Sequence, residues 1–347
     1  MAEILLVAEH LSKTYGQDRR ILDAIRPHDR PMVRPALNDV SLSLGAGETL
    51  GIVGESGSGK STLARCLTLL EQPDSGRVLL DGQDLTTLRG RELRDQRRRI
   101  QVVFQDPYSS LNPSLSVRDA ISEVLTVHRL VARGEVHARC VGLLHQVGLP
   151  ERALDRFPAE FSGGQRQRIC IARALAAEPA LLIADEAVSA LDVSIQAQIL
   201  NLFVDLREQL GLAMLFISHN LHVVRHVAPR IAVMFGGRIV ELIPAGTRLE
   251  DAEHPYTRSL YAAAPRLGAA GLAVVEATPA DLAARLPVVG CPFRDRCPRA
   301  FDRCAVEDPA LLRVGSGHLV ACHAVAQEHA SGHSAQTATP AGGGPGD

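Results

Sequence analysis

Residues 54 to 61 read Gly54-Glu55-Ser56-Gly57-Ser58-Gly59-Lys60-Ser61, the spacing Gly-x-x-x-x-Gly-Lys-Ser whose backbone N–H groups wrap a phosphate chain. The flanks suit such a loop. Thr49-Leu50-Gly51-Ile52-Val53 is a short apolar run fit for a buried strand, and Ser61-Thr62-Leu63-Ala64-Arg65-Cys66-Leu67 carries helix formers at helical spacing. Gly54, Gly57 and Gly59 permit a tight turn and a close phosphate approach that a Cβ would obstruct. Lys60 is expected to neutralise the β- and γ-phosphates and the Ser61 hydroxyl to hold Mg²⁺, with a helix N-terminus behind them favouring negative charge. An isolated match of this kind can be an ordinary glycine-rich turn, so the rest of the chain decides.

A second apolar run, Leu181-Leu182-Ile183-Ala184, ends in Asp185-Glu186. Asp185 is expected at the carboxyl end of a buried strand, where a carboxylate reaches Mg²⁺ through its water shell. Glu186 points elsewhere and can polarise an attacking water. A third run, Ala213-Met214-Leu215-Phe216-Ile217-Ser218, delivers His219 to the same sheet edge. Ser162-Gly163-Gly164-Gln165 opens a helix through Ile169, and its N–H groups make a second anion site. The chain therefore reads as one that binds and hydrolyses a nucleotide.

With these residues in place, the sequence resembles the ATP-binding subunits of ABC transporters over about residues 4 to 325. Ser162-Gly163-Gly164-Gln165-Arg166 is similar to the family's signature motif. Gln105, in Val102-Val103-Phe104-Gln105-Asp106-Pro107, matches the Q-loop, Ser189-Ala190-Leu191-Asp192 the D-loop and His219 the switch histidine. Tyr15 is similar to the aromatic that stacks on adenine. The resemblance implies an ATP site that also includes Thr62 and Mg²⁺ held by Ser61, Gln105 and Asp185. Glu186, His219 and Gln105 are its implied catalytic groups. In the family, Ser162, Gly163, Gly164 and Gln165 close on the γ-phosphate of an opposite subunit, which implies a head-to-tail dimer with Asp192 near the interface. Three positions depart from the family pattern: Phe161 stands where Leu is usual, Ala187-Val188 where Pro-Thr is usual, and Asn220 where Asp is usual. None removes a group that touches ATP or metal, though the loop after Glu186 loses a conformational restraint and a hydroxyl.

The implied fold is α/β: a phosphate-loop ABC-type domain with a parallel sheet core, an antiparallel β subdomain, a helical subdomain and a small Cys-rich C-terminal extension. The expected boundaries are 1–250 for the ATPase, with the helical part at about 106–178, then 251–326 for the extension and 327–347 for a disordered Ala/Gly/Ser/Thr/Pro tail. Arg19 to Pro35 is expected to be a polar excursion between strands, of a kind that suits the second of two paired ATPase types. Arg89 to Arg99 reads as the solvated face of a helix. The chain has 347 residues, 46% hydrophobic and 3% aromatic, and a net charge of −2. That charge makes no electrostatic case for nucleic acid. No apolar run is long enough to span a membrane and no signal segment opens the sequence, so the expected place is peripheral, on the cytoplasmic face of the cell (inner) membrane.

His254-Pro255-Tyr256-Thr257-Arg258 and the later cysteines Cys291, Cys297, Cys304 and Cys322 resemble the C-terminal extension of oligopeptide and dipeptide importer ATPases. Five, six and seventeen residues separate those four cysteines. Cytoplasmic reduction argues against structural disulfides and the lack of a Cys-x-x-Cys pair argues against a common zinc ribbon. A 4Fe-4S cluster on the four thiols is the expectation, with zinc or buried free thiols as alternatives. Cys66, Cys140 and Cys170 read as small core residues.

The resemblance implies ATP hydrolysis that drives peptide uptake, with a homologous second ATPase subunit, two transmembrane permease subunits and an extracytoplasmic substrate-binding protein as partners. Nickel, glutathione or another small solute is an alternative cargo. The rival classes are a low-turnover nucleotide-binding regulatory subunit and a soluble ABC ATPase. The second would ordinarily show two fused cassettes or a long coiled-coil insertion, and this sequence has neither.

Overall fold

The computed structural model describes residues 3–15, 34–263 and 286–336. Most of the Arg19 to Pro35 excursion and the last residues, 337–347, lie outside them. Two sheets frame the chain. The smaller is antiparallel, in the order β2 (Leu37–Gly45), β1 (Ile4–Lys13), β4 (Ser75–Leu80), β5 (Gln83–Asp84). The larger has eight strands, and the five at one end, up to the edge strand β6, run parallel: β9 (Arg230–Phe235), β3 (Thr49–Val53), β8 (Ala213–Ser218), β7 (Leu181–Asp185) and β6 (Ile100–Val103). β10 (Arg238–Ile243) pairs antiparallel with β9. The short strands β11 (Leu312–Arg313) and β12 (Leu319–Val320) extend that edge, with Glu241 opposite Val320, so the C-terminal region is hydrogen-bonded into the main sheet.

The three apolar runs read as buried strands are β3, β7 and β8, and each is buried along its whole length. They are continuous apolar runs because both faces of a parallel sheet are covered. Alternate residues serve different cores. Leu181, Ile183, Leu215 and Ile217 join the core shared with the antiparallel sheet and α1 (Lys60–Leu67). Leu182, Ala184, Met214 and Phe216 join the core beneath the helices.

The helical part is built from α3 (Pro107–Ser110), α4 (Val117–Val127), α5 (Val136–Gln146) and α6 (Gly163–Leu175), after a basic α2 (Gly90–Arg98) ahead of β6. α4 begins in a capping box in which Ser116 and Asp119 satisfy one another's N–H groups. α7 (Val193–Leu210) ends at Gly211, whose φ of +63° closes the helix in the left-handed region. α8 (Leu221–Val227) packs on β3 so closely that a Cβ on Gly51 would lie 2.1 Å from Val224 Cγ1. Cys66, Cys140 and Cys170 are buried on helices, as the sequence reading has them.

One expectation is corrected here. The tail read as disordered from Gln327 begins as part of a helix, His323–Gln336. Val325 on its first turn is buried, and Glu328 pairs with Arg299, contacts that a composition-based reading does not register.

Phe216 is fully buried at the centre of the larger core, edge-to-face with Phe203 at 5.8 Å. Phe216→Ala should lower unfolding free energy by about 3–5 kcal/mol. Chemical denaturation would show this as an earlier midpoint at unchanged slope.

Candidate functional site

Gly54 to Ser61 leaves the carboxyl end of β3 and runs into α1, which starts at Lys60. The turn uses its glycines as the sequence demands. Gly59 has φ +103°, and a Cβ on Gly54 would sit 2.2 Å from the Met234 carbonyl oxygen. The loop therefore nests against β9 with its remaining N–H groups gathered at the head of a helix. Lys60 is buried, and its Nζ donates to the carbonyl oxygens of Gly54 and Glu55 at 2.8 and 2.9 Å. Burial lowers its pKa, with Glu186, 3.8 Å away, pulling the other way. A buried ammonium whose nearest partners are carbonyls, with one carboxylate farther off, is complementary to a polyanion.

Ser61 Oγ lies 3.3 Å from Asp185 Oδ1 at the end of β7. Burial raises the Asp185 pKa, so the carboxylate is short of positive charge where it stands. The hydroxyl and carboxylate fit the oxygen donors Mg²⁺ prefers, and Gln105 joins them in lining an open groove of about 680 Å³ beside the loop. Mg²⁺ there would balance phosphate charge.

Glu186 follows Asp185 with φ +50°, an unusual conformation for a non-glycine residue. Its N–H donates to the Ile217 carbonyl at 3.0 Å, and its carbonyl accepts from Ser189 Oγ at 3.0 Å. The carboxylate lies 3.6 Å from His219 Nδ1, and the hydrogen bond with His219 keeps its pKa below the usual range despite burial. Strands β7 and β8 are neighbours, which is why runs ending at Glu186 and His219 meet. Ala187 and Val188, at the family's usual Pro-Thr, are buried and fill core space, while Ser189 holds the turn. Asn220 caps α8 by accepting from the N–H groups of His222 and Val223, which an Asp there could also do.

Tyr15 is half-exposed, its hydroxyl bonded to Glu71 and 3.4 Å from Thr62 Oγ1, so it stands beside the first turn of α1. Ser162 is the N-cap of α6, in a capping box with Gln165. A Cβ on Gly164 would lie 2.4 Å from Ile195 Cγ2, so the signature turn packs directly on α7 and close to the exposed Asp192 at its start. Phe161 is buried with Arg156 stacked 4.5 Å above its ring. Within this chain the loop, Asp185, Glu186, His219 and Gln105 are brought to one edge of the sheet. The Ser162 turn stands on the helical part.

The metal centre expected at Cys291, Cys297, Cys304 and Cys322 is not supported. Among the described residues, no group of three or more His, Cys, Asp or Glu side chains is placed to hold a metal ion. All four cysteines are free, Cys291 and Cys304 buried and the other two partly so. Burial, with the neighbouring Cys304, Cys297 and Cys322, pushes the Cys291 thiol up to about 11. Other contacts close the segment: Cys291 N–H donates to Cys304 O at 2.9 Å, Arg34 and Arg238 flank Asp308, and His318 Nε2 lies 2.8 Å from buried Glu241.

Sequence reasoning did not assign Arg296 or Tyr256 to the site, yet both hold Glu55 of the loop. The contact between Arg296 and Glu55 spans 241 residues, so no local spacing announces it.

If buried Asp185 lacks compensation, Asp185→Asn should raise the melting temperature of the nucleotide-free protein by about 2 °C while weakening Mg²⁺-dependent ATP binding. Thermal unfolding and a binding titration on the same sample would check both signs.

Comparison with known proteins agrees with this geometry. Residues 37–189 match the ABC transporter family model, and residues 240–304 match the model described as oligopeptide/dipeptide transporter, C-terminal region. A probable peptide ABC transporter ATP-binding protein, y4tS, of Sinorhizobium fredii is 49% identical over 93% of this chain and 90% of its own. The di/tripeptide transport ATP-binding protein DppF of Pseudomonas aeruginosa is 45% identical over 92% of this chain and 98% of its own. Among solved structures, the post-hydrolysis dimer of the ATP-binding cassette MJ0796 with ADP and Pi is 29% identical. It covers 70% of this chain and all of that one at a TM-score of 0.60. Loop, strand-end carboxylates and these relatives lead to one conclusion: the chain belongs to the ATP-hydrolysing ATP-binding proteins of ABC transporters.

Proposed function

We propose that this chain is the ATP-hydrolysing subunit that energises peptide uptake through an ABC importer. The observation that carries the reading is the presence, in one chain, of the cassette and the oligopeptide/dipeptide-type C-terminal region, both matched along nearly full length by proteins named for peptide transport. The proposed boundaries are 1–250 for the ATPase, with its helical part at about 106–178, and 251–326 for the extension.

In the proposed cycle, the Gly54–Ser61 loop and Lys60 hold the β- and γ-phosphates, and Thr62 and Tyr15 frame the nucleotide beside α1. Ser61, Asp185 and Gln105 would hold Mg²⁺, which would supply positive charge against the phosphates. Glu186 polarises the attacking water, and His219 orients that carboxylate and senses the γ-phosphate. The anion site at Ser162 to Gln165 has no role for ATP on its own chain; a second subunit arranged head to tail brings it onto the γ-phosphate. The dimeric state of MJ0796 supports pairing with a second subunit. The partners are a homologous ATPase, two transmembrane permeases and an extracytoplasmic substrate-binding protein, with this chain peripheral on the cytoplasmic side. Among the described residues no helix is long and apolar enough to cross a membrane. Cargo is selected by those partners.

Glu186→Gln should cut kcat for ATP by about 10²- to 10⁴-fold while ATP binding persists and dimers accumulate. An unchanged, already negligible rate would instead support a regulatory subunit. Purification of the tagged chain from its native membranes in mild detergent should recover two permeases and a second ATPase. Recovery of ribosomal or repair factors alone would overturn the transport reading.

A further inference from the structure

Glu55, the second residue of the phosphate loop, is held at three points. Its carboxylate receives both prongs of Arg296, Nη1 to Oε2 at 2.8 Å and Nη2 to Oε1 at 2.7 Å. Its N–H donates to the Tyr256 hydroxyl at 2.9 Å, and its carbonyl accepts from Lys60. The first two partners belong to the C-terminal region; the third is the lysine that faces the phosphates.

Both partners are anchored. Tyr256 is fully buried, its ring 4.5 Å from Phe235 and 5.4 Å from Phe293. The Arg296 guanidinium lies 5.6 and 5.5 Å from those same two rings. Phe235 ends β9, the strand against which the loop already nests, and Phe293 sits in the Cys-rich segment. One aromatic cluster therefore joins sheet, extension and loop, and the forked guanidinium fixes Glu55 in direction as well as distance.

We propose that Arg296 and Tyr256 are positioning residues for ATP, tying the back of the phosphate loop so that its N–H groups and Lys60 stay aimed at the phosphates. The C-terminal region is then a determinant of nucleotide affinity in its own chain, beyond any contact with a permease. Freed from Arg296, Glu55 would lose its fixed direction, and the Lys60 bond to its carbonyl would lose a fixed partner. The coupling is reciprocal, so phosphate binding also steadies the extension around Arg296. The inference rests on the reading of Gly54 to Ser61 as the ATP site, and Lys60→Ala is the control that tests that reading separately.

The experiment measures Mg²⁺-ATP affinity, kcat and KM, and melting temperature on the full chain. Arg296→Ala, Glu55→Gln and the double variant should each weaken ATP binding about tenfold, the double no more than the singles, because they break one tie. Arg296→Lys should recover only part of the loss, since a point charge replaces a fork. Tyr256→Phe, which removes a single oxygen, should raise KM with little change in melting temperature, and serves if Arg296→Ala does not fold. Arg299→Ala breaks the nearby Arg299 pair with Glu328 without touching the loop, and should leave ATP affinity unchanged. Wild-type affinity in folded Arg296→Ala, or restored affinity in the double variant, would overturn the proposal while leaving the ATP site intact if Lys60→Ala abolishes binding. Equal losses in Arg299→Ala and Arg296→Ala would reduce the effect to general destabilisation and overturn it as well. Undiminished binding in Lys60→Ala would remove the ATP-site reading and the proposal together.

Discussion

A buried lysine with two carbonyls of its own loop as its nearest acceptors sets the terms for this molecule. Lys60 cannot be solvated where it lies, and Glu186 at 3.8 Å offsets only part of its burial. Such a charge is tolerable if the rest of the fold pins the loop and a polyanion completes it. The parallel sheet does the pinning from below, by ending β3, β7 and β8 side by side so that the loop, Asp185, Glu186 and His219 emerge together. Asp185 has the complementary problem, a buried carboxylate short of positive charge. Lysine and carboxylate a short distance apart, each incompletely compensated, are the electrostatic form of a site built for a phosphate chain and a divalent cation.

How legible this was depended on sequence distance. The loop could be read because its glycines answer a local demand: Gly59 needs a positive φ and Gly54 a bare Cα, and both needs appear as residue identity. Strands β3, β7 and β8 could be read because covering both sheet faces forces continuous apolar runs. The capping box at Ser162 is equally local. What could not be read were contacts between distant segments. The pairing of β12 with β10, the burial of Val325 that starts the last helix, and the grip of Arg296 on Glu55 all join residues whose own neighbours carry no mark of the partner.

The cysteines are a different case. Four thiols close in sequence invite a metal, but the segment is organised by groups the cysteine count ignores. Phe293 enters the aromatic cluster with Phe235 and Tyr256, Asp308 sits between two arginines, and Glu241 of β10 is buried against His318 and the N–H groups of Glu253 and His254. A small appendage with little core of its own is here stabilised by borrowing one: it completes the main sheet and shares the aromatic core of the ATPase.

The same logic explains why the departures at Ala187, Val188 and Asn220 leave the site assembled. Glu186 adopts a left-handed conformation that its side chain does not favour, so something must hold it there. The holding contacts are main-chain and local: its N–H on Ile217 of the adjacent strand and its carbonyl under the Ser189 hydroxyl. Neither depends on residue 187 being proline or residue 188 bearing a hydroxyl, and the two apolar side chains that stand there add to the core beneath the turn. Asn220 supplies the oxygen that α8 requires at its N-cap, and a neutral amide there avoids placing another carboxylate near Glu186 and His219. The constraint at this edge of the sheet is thus on backbone direction and net charge, and several residue types meet it.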